Sequence, residues 1–147
     1  MEKIKVVKSL EINASPEKIF SFIADPSKIP SIIPGLIENS NVPELPLVAG
    51  AEFDYKYQMY GMMLDGKWIV DEIKAPSIYK AHTIGGSESW WTQEIFGDEN
   101  KSIATLTIEY KMPEGILGKI KAEALISIND KEAEYMLHNL KTILEMQ

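Results

Sequence analysis

The chain has 147 residues, 45% hydrophobic and 25% charged, a length and balance that suit one ordered domain over residues 1–147. Cys is absent, which excludes disulfides, thiolate zinc sites, iron–sulfur clusters and a Cys nucleophile. The net charge is −7 and all 15 basic residues are Lys, so the guanidinium fork is missing and both nucleic acid and an anionic membrane surface are poor partners.

Residues Lys3 to Ile12 place Ile4, Val6, Leu10 and Ile12 on alternate positions, the pattern of a half-buried strand. The N-terminus has no signal-peptide apolar block, and no run of about 20 apolar residues suggests a transmembrane helix. A cytoplasmic, soluble protein is expected. Ser15 then offers an N-cap and Pro16 a first helical turn, with Ile19, Phe20, Phe22 and Ile23 as the apolar face of a short helix. Asp25-Pro26 ends that helix. A second short helix carries Ile29, Ile32 and Ile33 and stops at Pro34-Gly35.

Strands follow. Leu36 to Val42 is the first of them, and a loop with two prolines runs from Pro43 to Gly50. Ala51 to Tyr60 alternates cleanly: Phe53, Tyr55, Tyr57 and Met59 share one face, and Glu52, Asp54, Lys56 and Gln58 the other. Gly61 turns the chain into Met62 to Ile73, where Leu64, Trp68 and Val70 share a face. Three more strands are expected at Ile78–Ile84, Glu88–Phe96 and Ser102–Lys111, the last with Ala104, Leu106, Ile108 and Tyr110 on its apolar side. Residues Pro113 to Gln147 read as one long helix, with a kink allowed at Asn129-Asp130. Leu117, Ile120, Ala124 and Ile128 keep helical spacing, as do Ala133, Leu137, Leu140 and Leu144.

A meander of strands with one apolar face needs a cover, and the C-terminal helix is the only element long enough. The inward set is rich in Tyr, Trp and Met. Such residues usually make an ordinary core. Tyr and Trp, however, carry polar tips that a dry core must satisfy, which favours a cavity between sheet and helix. Its expected wall is Phe53, Tyr55, Tyr57, Met59, Trp68, Val70, Trp91, Leu106, Ile108 and Tyr110, with Leu117 and Ile120 from the helix. In Trp90-Trp91 one indole goes to each face. The charge on Glu94 assigns Trp91 to the interior and makes Gln93 a polar group able to orient a carbonyl or hydroxyl.

Several stretches resemble a known family. Residues Ile12 to Pro26 resemble its opening, a strand, Ala-Ser-Pro-Glu and a short helix ending in Asp-Pro. Tyr110 to Lys119 is similar to its strand-to-helix junction, and Asn139-Leu140-Lys141 with Glu145 to its terminal Asn-Leu-Lys and Glu. The family is the SRPBCC or START-like superfamily, which includes polyketide cyclase/dehydrase-like and lipid-transport-like proteins. The resemblance implies an α+β helix-grip fold: an antiparallel sheet of about seven strands around a long C-terminal helix, with two short helices after the first strand. It implies a ligand among lipids, sterols, isoprenoids, quinones, polyketides or plant-hormone-like molecules.

Three functions follow. The first is a carrier or sensor of a small hydrophobic ligand, as monomer or homodimer. The second is a cyclase, dehydratase or hydrolase on a polyketide-like or aromatic substrate. It needs an inward acid or base, and His82 and Glu72 are the candidates. The strand around His82 has no cleanly apolar face, so a surface histidine is the plainer reading. Glu72 shares the parity of Trp68 and Val70 but sits near a strand end, where a rim charge is the plainer reading. His138 is offset from the apolar stripe. Ser87, Ser89 and Thr92 lack an evident base, so nucleophilic catalysis has no support. The third function is a chaperone-type adaptor using the Met59–Met63 hairpin or the Pro43–Val48 loop. Only two His are present and no cofactor or metal is expected.

Overall fold

The computed structural model describes residues 3–59, 61–111 and 122–146. Strand β1 (Ile4–Ile12) leads into helix α1 (Pro16–Ile23) and a single 3-10 turn (Ile29–Ser31). Six strands follow: β2 (Leu36–Ser40), β3 (Glu52–Met59), β4 (Met62–Lys74), β5 (Ile78–Gly85), β6 (Ser89–Gly97) and β7 (Ser102–Tyr110). Helix α2 (Ala122–Glu145) closes the order. It runs without interruption through Asn129 and Asp130. The second short helix expected from Pro26 onward is only the 3-10 turn. Pro30 and Pro34 leave no room for a longer hydrogen-bonded ladder.

The seven strands form one antiparallel sheet in the order β1-β7-β6-β5-β4-β3-β2. Strands consecutive in the chain from β2 to β7 are neighbours, joined by short turns apart from the longer loop between β2 and β3. The exception to that adjacency carries the architecture. Strands β1 and β2 are sequential yet lie at opposite edges, so α1 and the 3-10 turn must cross from one edge to the other. Ser15 starts that crossing by accepting a hydrogen bond from the Lys18 N–H at 3.2 Å. Ile19, Phe20, Phe22 and Ile23 are buried beneath it.

Helix α2 lies closest to β1 and β7. Its buried stripe is Ala133, Met136, Leu137, Leu140 and Leu144. Ala124 and Ile128, assigned to a stripe by their spacing, are exposed. Polar ties fix the C-terminal half. The Asn13 N–H donates to the Glu145 carboxylate at 2.8 Å, Lys141 Nζ donates to the Glu11 carbonyl at 3.1 Å, and the Asn139 amide donates to the Ile32 carbonyl at 3.1 Å. The Asn-Leu-Lys…Glu segment therefore clamps α2 to the β1–α1 junction and to the end of the 3-10 turn. With the helix held against β1 and β7, a gap remains between its N-terminal half and strands β3 to β6.

Candidate functional site

That gap is a cavity of about 790 Å³ of atom-free space, its open mouth included. Strand β3 supplies Tyr55, Tyr57 and Met59, and β4 supplies Trp68. Trp91 comes from β6, with Ile108 and Tyr110 from β7. Asn129, Glu132, Ala133 and Met136 form the helix wall. Their spacing puts them on one side of α2. The aromatic rings contact one another: Trp68 meets Trp91 edge-on with centroids 5.4 Å apart, and Tyr55 lies 6.0 Å from Trp68. Tyr55 reaches this position because it is paired across the ladder with Gly66. A Cβ there would come within 2.7 Å of the Tyr55 ring and 2.3 Å of the Ile84 carbonyl.

Beside it is a smaller cavity of about 380 Å³, which shares Ile33, Trp68, Trp91 and Met136 with the first. Phe53, Tyr79 and Gln93 lie on its wall. Gln93 thus stands near the expected space, in its lesser lobe. Burial pushes the Tyr79 hydroxyl well up from its ordinary range. Val70 and Leu106 are fully buried but line neither space, so they are core. Leu117 and Ile120 lie outside the described residues.

The hydroxyls at the β5–β6 end satisfy one another. Each has a single proton, which orders the chain. Trp91 Nε1 donates to Ser89 Oγ at 2.8 Å, Ser89 donates to Thr83 Oγ1 at 2.7 Å, and Thr83 donates to the Ser87 carbonyl at 3.0 Å. The Ser87 N–H in turn donates to the Tyr55 hydroxyl at 3.2 Å.

Three polar groups stand apart from that network. Trp68 Nε1 and the Tyr110 hydroxyl are buried with no hydrogen-bond partner among the described residues. Burial raises the Tyr110 hydroxyl above its usual range, and the nearby Asn129 amide opposes this without closing a hydrogen bond. The third is Glu132, whose carboxylate accepts a hydrogen bond from the Tyr57 hydroxyl. Burial pushes its carboxyl up to about 7, and the Tyr57 bond acts in the opposite direction. Glu132 is the one carboxyl among the described residues lining a mainly aromatic and aliphatic chamber, whose other polar residues are Thr83, Ser87, Ser89, Lys111 and Asn129, and the sequence reading passed over it. One signal pointed to it: Glu132 heads the row Met136, Leu140 and Leu144 at four-residue spacing, so it shares their side of the helix.

The two acid–base candidates lie elsewhere. His82 is on the outer face of the sheet, with Nδ1 2.8 Å from the Asp71 carboxylate. Its neighbours Tyr79, Ala81 and Thr83 alternate inward to one side of it. Glu72 is also outside, near Lys74 and Lys80 at 3.6 and 3.7 Å. The cause is a β-bulge. Val70 pairs with inward Ala81, but the next pair is Glu72 with outward Lys80, so Asp71 is the extra residue and the alternation reverses. Trp90 faces outward, with Lys3 Nζ 3.8 Å above its ring. In the two segments considered for an adaptor surface, Leu45, Val48 and Met63 are exposed and Leu47 is buried.

Among the described residues no cluster of three or more His, Cys, Asp or Glu could hold a metal, and no helix is long and apolar enough to cross a membrane. The fold has solved counterparts. TTHA0849 from Thermus thermophilus superposes with a TM-score of 0.80 at 13% identity, covering 97% of this chain and 98% of that one. The ZhuI aromatase/cyclase from Streptomyces sp. R1128 gives 0.78 at 13% identity, covering 98% and 94%. Ara h 8.0201 gives 0.69 at 11% identity, covering 99% and 100%. None of the curated proteins compared with the chain matches it. Residues 3–145 match the model of the family described as polyketide cyclase/dehydrase and lipid transport, and with this helix-grip architecture the chain belongs to that family, within the SRPBCC superfamily.

Proposed function

We propose that this protein is a cytoplasmic carrier or sensor that takes a small, mostly apolar molecule into the chamber between its sheet and α2. Membership of the family supports hydrophobic-ligand binding or polyketide cyclisation in general. The observation that favours binding is the buried pair of unpartnered donors, Trp68 Nε1–H and Tyr110 O–H, on an aromatic wall. A buried donor without an acceptor costs about 1–3 kcal/mol, and a ligand oxygen would remove that cost. Tyr55, Tyr57, Trp68, Trp91, Ile108 and Tyr110 would form the contact surface.

A second reading, an enzyme acting on a polyketide-like or aromatic substrate, takes its support from Glu132. It is a desolvated carboxyl poised near neutrality beside a tyrosine hydroxyl. His82 and Glu72, on the outer face, do not contribute to it.

Intrinsic fluorescence tests the binding reading. An apolar ligand in the chamber should change emission from Trp68 and Trp91, and the change should persist in Trp90→Phe. It should fall in Trp68→Phe. A response that disappears in Trp90→Phe would place binding on the outer face and overturn the reading. Mass spectrometry of protein purified gently from its own cells should show an extra mass of a few hundred daltons, lost on denaturation.

A further inference from the structure

Glu132 gives the chamber a chemical preference. Its carboxyl is held by the Tyr57 hydroxyl of β3. Tyr110 of β7 and Asn129, Ala133 and Met136 of α2 line the same space. Two of the described lysines stand near this end, and each is paired with another carboxylate. Lys8 pairs with Asp130 at 2.9 Å, and Lys111, which itself lines the chamber, turns its ammonium to Glu88 at 3.0 Å and toward the outward Trp90. Among the described residues no Lys or His pairs with Glu132. A carboxylate in such surroundings is destabilised unless a cation or further donors meet it.

We propose that Glu132 is the ligand-recognising carboxylate of this chamber, and that its preferred ligand is a cationic amphiphile, an alkyl or arylalkyl ammonium. The proposal rests on the binding reading above and names the ligand class. The ammonium pairs with Glu132, and the apolar body lies against Tyr55, Trp68 and Trp91. Aromatic faces attract cations by their quadrupole, so the wall and the carboxylate act in the same direction. A fatty-acid carboxylate would meet repulsion instead. The net charge of −7 adds a long-range field that favours approach of cations. Trp68 Nε1–H and Tyr110 O–H remain available to an oxygen on the ligand body, so a hydroxylated amine should bind more tightly than its parent.

Proton linkage follows from burial. The free carboxyl titrates near 7, whereas an ammonium binds its ionised form. The ionised fraction rises from about 0.1 at pH 6 to about 0.9 at pH 8, so amine affinity should rise about tenfold across that window. A neutral alcohol should show no such rise.

Isothermal titration calorimetry with octylamine, 1-octanol and octanoate at pH 6 and pH 8 tests this. Octylamine should bind best, gain about tenfold at pH 8, and release protons when titrated at pH 6. Glu132→Gln should weaken octylamine at least tenfold at pH 8, abolish the pH dependence, and leave octanol within about twofold. Exposed Glu134→Gln should leave all three unchanged. Equal, pH-independent binding of amine and alcohol overturns the proposal while leaving the apolar-ligand reading intact, and so does tight octylamine binding by Glu132→Gln. Failure of both octylamine and octanol to bind at pH 8 overturns both readings. Proton release on the unaltered protein decides the matter if the variant does not fold.

Discussion

At the scale of single residues, Glu132 and Gly66 carry the clearest consequences. Glu132 has a folded-state pKa of about 7 against an ordinary value of 4.5. Its contribution to stability is complete below pH 4.5 and is lost as pH rises through 7. Glu132→Gln removes that loss, because an amide oxygen can still accept from Tyr57. The variant should match the unaltered protein near pH 4.5 and exceed it by on the order of 3 kcal/mol at pH 8, read from denaturant melts at both pH values. Gly66→Ala should destabilise by about 1–3 kcal/mol, because the added methyl meets the Ile84 carbonyl and the Tyr55 ring. It should also shift the near-ultraviolet circular dichroism of the aromatic wall. Glu132 was legible only as one position of a four-residue row. Its neighbours in sequence, Lys131 and Glu134, are ordinary surface charges, and charge is normally a sign of exposure.

At the scale of elements, strand alternation identified the sheet because each strand has one wet face, and a period of two then separates the sides cleanly. It assigned Trp91 inward and Trp90 outward, as the structure has them. It grouped Glu72 with Trp68 and Val70 by parity, whereas a bulge adds one residue there and reverses the later positions, leaving Glu72 in the exposed setting that was its plainer reading. Bulges have no compositional marker in this segment. Helix α1 was equally legible, since Ser15 and Pro16 mark its start locally. Ser15→Ala should cost about 1 kcal/mol in a denaturant melt, with ligand affinity unchanged, because the cap lies away from the chamber. On α2 the period identified the seam from Ala133 to Leu144 but extended it too far toward the N-terminus. A helix buries a stripe only where another element faces it.

At the scale of the whole molecule, the chamber exists because α2 is clamped at β1 and β7 and stands off the other strands. A ligand in that space binds only the folded state. Octylamine at about 100 times its dissociation constant should therefore stabilise by about 2.7 kcal/mol. For a chain of this length that is a rise in Tm of roughly 5–10 °C, measurable by differential scanning fluorimetry. The sequence by itself determined the strands, the caps, the terminal helix and the aromatic character of the inward face. Those features follow from local periodicity and from side-chain chemistry within a few neighbours. Only the tertiary structure decided that Val70 and Leu106 are core, that Phe53 and Gln93 face a lesser lobe, and that Glu132 meets Tyr57 across the chamber. These depend on how far the helix stands from each strand, a distance set by contacts between residues remote in the chain.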